Sequence, residues 1–249
     1  MKETGNKITC LTAYDYNFAK VFNDAKVDII LVGDSLGMVI QGSKNTLKVS
    51  VDDMTYHTKI VSKACSYSYL IADMPYLSYE DEITSLKNAM ELINSGAKMV
   101  KLEGADNLNI FKKLIDNNIE VCGHLGLQPQ SVEKLGGFKV QGKDKESGGK
   151  ILKDAIKLQE IGVKLLVLEC IPKSLATKIS QTLKIPTIGI GAGSKCDGQV
   201  LVSYDILGLG NPPKFSKNFL SATNSIKQAT LNFIKEVKNG DFPTEKHSF

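Results

Sequence analysis

Residues 29–37 read IILVGDSLG: Ile29, Ile30, Leu31 and Val32 in an unbroken aliphatic run, then Gly33, Asp34, Ser35, Leu36 and Gly37. Four apolar residues without polar alternation describe a strand buried on both faces, the kind that parallel sheets contain. The run then delivers a carboxylate and a hydroxyl at its C-terminal end. A single acid there is often a turn former or a helix N-cap. Whether Asp34 carries chemistry therefore depends on what the other strands deliver.

Moving outward, the same alternation of strand and helix patterns fills the chain. Strand patterns occupy residues 8–15 (ITCLTAYD), 27–34, 67–75 (YSYLIADMP), 97–104 (AKMVKLEG), 119–126 (IEVCGHLG), 163–170 (VKLLVLEC) and 185–193 (IPTIGIGAG), with 198–205 (GQVLVSYD) as an eighth. Helical patterns lie between them. The clearest spans residues 78–96, with Ser78 as its expected N-cap, Ile83, Leu86, Met90 and Ile93 on one apolar face, and Gly96 as its stop. Residues 136–149 read as a polar, glycine-rich loop, residues 217–238 as a long amphipathic helix, and Phe242, Pro243 and Phe249 as a tail that docks on a surface. Strands alternating with helices pair in parallel through right-handed crossovers. Eight of them in 249 residues fit an α/β fold of the (β/α)8 TIM-barrel type, one domain over residues 1–249 with a C-terminal helix and tail. An open doubly wound sheet is the competing architecture.

Composition narrows the function classes. The chain is 42% hydrophobic and 23% charged with a net charge of +4, and no block of basic residues marks a nucleic-acid surface. No apolar stretch reaches the ~20 residues of a membrane span. Five widely spaced cysteines without a CxxC pair indicate a reduced, cytoplasmic protein. The three histidines, His57, His124 and His247, are far apart, which argues against three-histidine zinc chemistry. All 31 basic residues are lysine, so any anion must be held by lysine, backbone N–H groups, hydroxyls or metal.

Read in order, the strand ends carry Asp34 and Ser35, Asp73, Lys101 and Glu103, His124, and Glu169, while the seventh ends in the glycines of GIGAG. In a parallel barrel these ends share one rim, where active sites of the fold lie. Lys101 and Glu103 point to the same side, away from Leu102, either as a buried ion pair or as site residues. Clustered oxygen ligands with few histidines suit a hard cation such as Mg²⁺, with Asp34 and Asp73 as direct ligands and Glu103 direct or through water. Coordination positions then remain for a bidentate substrate such as a 2-oxo acid. Glu169, ending the apolar run LLVLE, suits a general base or a salt bridge to a rim lysine. His124 reads equally as a core histidine or a substrate contact, Tyr14 and Asp15 as pocket or loop-closing residues, and His57 as structural. The GIGAG loop either cradles phosphate or permits a close approach.

The motifs LTAYDYNFA, VGDSLGMVIQG, ADMPYLSY, VKLEG, VCGHLGLQPQS, GGFKVQG, VLECIP and IPTIGIGAGSKCDGQVLV, in this order over nearly the whole chain, resemble the ketopantoate hydroxymethyltransferase family. The resemblance implies a (β/α)8 barrel and a cytoplasmic homo-oligomer, usually a decamer. It also implies transfer of the one-carbon unit of 5,10-methylenetetrahydrofolate to 3-methyl-2-oxobutanoate, which forms 2-dehydropantoate for pantothenate synthesis. By the same resemblance Asp34, Asp73 and Glu103 match the magnesium site, Ser35 and Lys101 the residues that hold the oxo-acid carboxylate, and Glu169 the proton acceptor. The expected mechanism is removal of the C3 proton by Glu169, giving an enolate stabilised by Mg²⁺ that attacks the folate-borne carbon. The chain departs from the family pattern at Tyr76-Leu77, where Phe-Gly is common, and at Lys48, Tyr204 and Lys246. Two other readings compete: a Mg²⁺-dependent, enolate-forming lyase barrel that needs no folate, and a barrel that binds a metabolite without turnover.

Overall fold

The computed structural model describes residues 2–133 and 136–249. Its first half runs β1 (Ile8–Thr12), α1 (Tyr16–Asp24), β2 (Ile29–Val32), α2 (Leu36–Val39), α3 (Val51–Ser62), β3 (Tyr69–Asp73), α4 (Glu82–Asn94) and β4 (Met99–Glu103). It continues through α5 (Leu108–Asp116), β5 (Val121–Gly126), α6 (Lys145–Glu160), β6 (Leu165–Glu169) and α7 (Lys173–Thr182). The chain then forms β7 (Thr187–Ile190), β8 (Gly198–Leu201), α8 (Ser203–Ile206) and α9 (Ile226–Asn239). All eight strands pair in parallel with their sequence neighbours, and β8 closes on β1. The closed barrel excludes the open doubly wound sheet.

The aliphatic run of β2 is buried on both faces, as its composition requires. Ile29 and Leu31 join Cys10, Ile71, Met99, Leu165 and Val167 inside the barrel. Ile30 and Val32 pack with Leu11, Leu70, Val100 and Leu166 in the layer between strands and helices. This two-residue alternation also places the polar residues. Asp73 continues the inward row of Ile71, Lys101 and Glu103 that of Met99, His124 that of Cys122, and Glu169 that of Val167. They lie toward the C-terminal ends of the inward rows, where the apolar filling of the barrel gives way to a cavity.

Several helices differ from the expectations, each for a local reason. The N-cap of α4 is Asp81, not Ser78; its carboxylate accepts from Ile83 N and Thr84 N, both at 2.9 Å. The face of α4 turned to the barrel is Ser85, Ala89 and Leu92. Of the expected apolar stripe, Leu86 and Ile93 pack partly against the core, while Ile83 and Met90 stay 81% and 50% exposed. Helix α6 starts inside the expected loop because Asp144 caps it, accepting from Glu146 N and Ser147 N. Helix α9 begins at Ile226 rather than residue 217, with Ser225 as its cap. The eighth strand pattern stops at Leu201, and its last residues form α8. The tail docks as expected: Phe242 is buried against Phe219 and Phe233, and the carbonyl of Phe249 accepts from Lys173 N at 2.8 Å.

Two backbone positions yield stability predictions. Leu77, where the chain departs from the pattern it resembles, holds φ +62° and is 55% exposed. A left-handed conformation costs an L-residue about 1–2 kcal/mol, against about 0.5–1 kcal/mol for the extra unfolded-state freedom of glycine. Leu77→Gly is therefore expected to stabilise the fold by roughly 0.5–1 kcal/mol, read as a raised melting temperature; a lowered one would show that Leu77 makes contacts worth more than the strain. Gly126, at φ +97°, is the opposite case: a Cβ there would stand 2.1 Å from the carbonyl oxygen of Glu169. Gly126→Ala is expected to cost about 3 kcal/mol or more, and wild-type melting would contradict this close packing of β5 on the end of β6.

Candidate active site

The strand register brings the polar ends together in pairs. Asp73 of β3 lies opposite Lys101 of β4, and Glu103 of β4 lies opposite His124 of β5. Lys101 Nζ stands 2.6 Å from Asp73 Oδ1, with both side chains nearly inaccessible. The first of the expected ion pairs therefore joins neighbouring strands rather than Lys101 and Glu103. His124 is wedged between two acids: Nδ1 is 3.3 Å from Glu103 Oε1 and Nε2 is 3.2 Å from Glu169 Oε2.

Asp34 enters out of phase with the inward row of β2. The inward position is Gly33, where a Cβ would lie 2.8 Å from Ser35 Oγ and 3.5 Å from Asp73 Oδ2. The missing side chain lets the turn fold over Asp73, whose Oδ2 accepts from Asp34 N at 3.0 Å. Ser35 Oγ meets the buried Tyr14 hydroxyl at 2.8 Å. The carbonyl of Tyr14 lies 2.6 Å from His57 Nδ1, and since a carbonyl only accepts, that ring nitrogen carries the hydrogen. His57 is thus a structural strut. Asp15 is no pocket residue: it caps α1, accepting from Asn17 N and Phe18 N.

Gln130, which the sequence reading did not single out, ties the carboxylates together. Its Nε2 donates to Asp34 Oδ2 at 2.7 Å and to Met74 O at 2.9 Å, and its backbone N–H donates to Glu103 Oε2 at 3.1 Å. The hydroxyl of Tyr79 donates to Gln130 Oε1 at 2.5 Å, so the amide is held from both ends. No local pattern marks such a residue, because its partners come from β2, β3 and β4.

Asp34, Ser35, Asp73, Lys101, Glu103, His124 and Glu169 all line one cavity of about 860 Å³, within the usual size of small-molecule sites. Burial, reinforced by the charges of Asp73 and Glu103, holds the Asp34 carboxyl well above its ordinary range; Lys101 and Gln130 offset only part of this. Burial alone would discharge Lys101, but Asp73, Glu103 and Asp34 more than compensate and keep it firmly protonated. Burial and the Lys101 charge also press His124 down, yet its two flanking carboxylates raise it to about 9. Four acids against Lys101 and a charged His124 leave two negative charges unbalanced when every acid is ionised.

The fit of a cation follows from what the protein leaves unfinished. Asp73 Oδ1 has its ion pair but no well-aligned hydrogen bond, and both His124 nitrogens, though close to carboxylates, also lack one. Buried polar atoms in that state call for a water, ion or ligand. Among the described residues no three His, Cys, Asp or Glu side chains converge as a ready-made metal cage. Mg²⁺ does not need one, since it takes one or two carboxylates and keeps waters or substrate oxygens for the rest. The oxygen donors of Asp34 and Asp73 fit such a site. The glycine loop after β7 is no phosphate cradle: Gly191 admits the rings of Phe215 and Phe249, each 3.1 Å from where its Cβ would be.

Comparison with known proteins places the chain in a family. The family model described as ketopantoate hydroxymethyltransferase matches residues 1–245. A 3-methyl-2-oxobutanoate hydroxymethyltransferase from Ruthia magnifica subsp. Calyptogena magnifica is 57% identical over 251 residues, covering 100% of this chain and 96% of that protein. The enzyme of the same name from Psychromonas ingrahamii is 51% identical over 252 residues, with 100% and 96% covered. Among solved structures, a phosphonopyruvate hydrolase in complex with oxalate and Mg²⁺ superposes with a TM-score of 0.60 at 12% identity, over 80% of this chain and 77% of that one. An oxaloacetate acetylhydrolase gives 0.62 at 13% identity, over 98% and 95%. Those distant likenesses concern the barrel alone. With nearly the full length matched by the family model and by relatives at half identity or more, the chain belongs to the ketopantoate hydroxymethyltransferase family.

Proposed function

We propose that the chain transfers the one-carbon unit of 5,10-methylenetetrahydrofolate to 3-methyl-2-oxobutanoate, forming 2-dehydropantoate, with Mg²⁺ as its cofactor. The observation that carries this reading is the convergence of Asp34, Asp73, Glu103, Lys101 and Glu169 on one cavity. Asp34 and Asp73 hold the metal, and Glu103 supports it directly or through water. Once bound, Mg²⁺ supplies Lewis-acid polarisation of the 2-oxo group.

The protein's own residues perform the remaining tasks. Lys101, protonated and fixed against Asp73, and Ser35, anchored by Tyr14, orient the substrate carboxylate. Glu169 faces the cavity from the end of β6 and takes the C3 proton. His124 steadies it from one side, at 3.2 Å from Oε2. Gln130 keeps Asp34 and Glu103 at fixed positions before anything binds, which reduces the reorganisation left for the reaction.

A homo-oligomer, decameric as in the family's usual form, belongs to the same proposal. The outward apolar stripe of α4, with Ile83, Leu86 and Met90 around a shallow groove, supports it. Cytoplasmic residence is supported by five unpaired cysteines. Among the described residues no helix is long and apolar enough to cross a membrane.

The test separates proton removal from carbon transfer. In D₂O with Mg²⁺ and no folate, the wild-type protein is expected to exchange the C3 proton of 3-methyl-2-oxobutanoate, and to form 2-dehydropantoate only when methylenetetrahydrofolate is added. Glu169→Gln should slow the exchange by about a hundredfold or more. Exchange at the wild-type rate in that variant would remove Glu169 as the base, and product formed without folate would remove the one-carbon reading.

A further inference from the structure

Around the barrel mouth the charged residues are unevenly distributed. Strands β2 to β6 contribute four acids, Lys101 and His124, whereas the strand wall formed by β7 and β8 is apolar, Ile190, Val200 and Val202, with Phe215 and Lys214 beside it. At the edge of this apolar wall, next to β1, stands one carboxylate, that of Asp205 on α8.

Asp205 has no partner of its own. Among the described residues its carboxylate makes no hydrogen bond and no ion pair, while the polar groups near it are satisfied by one another. Thr12 Oγ1 accepts from Ser203 N at 3.0 Å, and the Tyr14 hydroxyl pairs with Ser35. Its position in the first turn of α8 offers a conventional explanation, helix capping. Yet α8 has only four residues, its N-cap is Val202, and no side-chain cap bond forms. Partial burial without a compensating donor pushes the Asp205 carboxyl up to about 6.

A carboxylate at the edge of a flat apolar wall is complementary to a planar ring with two adjacent N–H donors on one edge. The pteridine head of a folate has that edge in its 2-amino group and N3–H, and apolar ring faces beside it. Resting on the one-carbon reading above, we propose that Asp205 binds the pteridine of the folate co-substrate, accepting both hydrogens, while the β7–β8 wall packs against the ring. The oxo acid then occupies the β2–β6 side of the cavity and the folate the β7–β1 side, so that Glu169 on β6 stands where the two meet.

The test measures binding of tetrahydrofolate, of 6-methyltetrahydropterin and of the 2-desamino analogue of that pterin to wild-type protein and to Asp205→Asn, by calorimetry. The same proteins are assayed for Mg²⁺-dependent C3 exchange, which uses no folate and reports on fold and oxo-acid site. Asparagine keeps the shape but replaces one acceptor with a donor. The variant is expected to bind tetrahydrofolate and the pterin roughly tenfold to a hundredfold more weakly. It should also lose the wild-type preference for the pterin over the 2-desamino analogue, with C3 exchange retained. Wild-type affinity for tetrahydrofolate in Asp205→Asn overturns the assignment and leaves the one-carbon reading intact. Parallel loss of exchange also overturns it, because Asp205 would then act on the fold or the oxo-acid end. A wild-type protein that binds no tetrahydrofolate overturns both.

Discussion

The site depends on one buried ion pair. Lys101 and Asp73 face each other across β3 and β4, 2.6 Å apart and 6% and 4% exposed. A buried pair of this kind seldom stabilises a fold relative to apolar residues, and losing one partner leaves a strongly penalised charge. Its value here is positional. Lys101 is a permanently charged cation in direct contact with this acid cluster, and the chain has no arginine to replace it. Around it Asp34, Asp73 and Glu103 can stand close together, and their remaining excess of negative charge makes the cavity receptive to a divalent cation.

Much of this was legible in the sequence because the barrel turns strand periodicity directly into site geometry. Once Ile71, Met99, Cys122 and Val167 are read as inward residues, Asp73, Lys101, His124 and Glu169 follow two positions later on the same face. What escaped depends on long-range closure. Gln130 acts on Asp34, 96 positions away, from a loop after β5, and nothing in its neighbourhood announces that reach. His124 stayed ambiguous because its two carboxylate neighbours lie on β4 and β6, set by register rather than by spacing. On α4 the helix packs on the barrel chiefly through Ser85, Ala89 and Leu92, so the more conspicuous apolar stripe is split, Leu86 and Ile93 partly covered and Ile83 and Met90 exposed. Periodicity identifies an amphipathic helix but not which of two apolar faces the core takes.

Glycines shape the site as much as the charged residues do. Gly33 clears the inward position that lets Asp34 and Ser35 fold over Asp73. Gly126 leaves room for the carbonyl of Glu169 where a Cβ would collide with it, and Leu127 N donates to that same carbonyl at 2.8 Å. Cys170, immediately after Glu169, is held at φ +47°, so the backbone around the proposed base is fixed on both sides. Strain of this kind persists where the surroundings determine the conformation completely. Here it fixes the direction in which one carboxylate faces the cavity.

On this reading a divalent cation carried on Asp34 and Asp73, together with the oxo acid, completes the cluster. Calorimetric titration of Mg²⁺ into the wild-type protein and into Asp34→Asn, each with and without 3-methyl-2-oxobutanoate, tests it most directly. The wild-type chain is expected to bind one Mg²⁺ saturably, more tightly with the oxo acid, and the variant to lose that binding while remaining folded. Equal Mg²⁺ affinity in the two proteins, or no effect of the oxo acid, would contradict it.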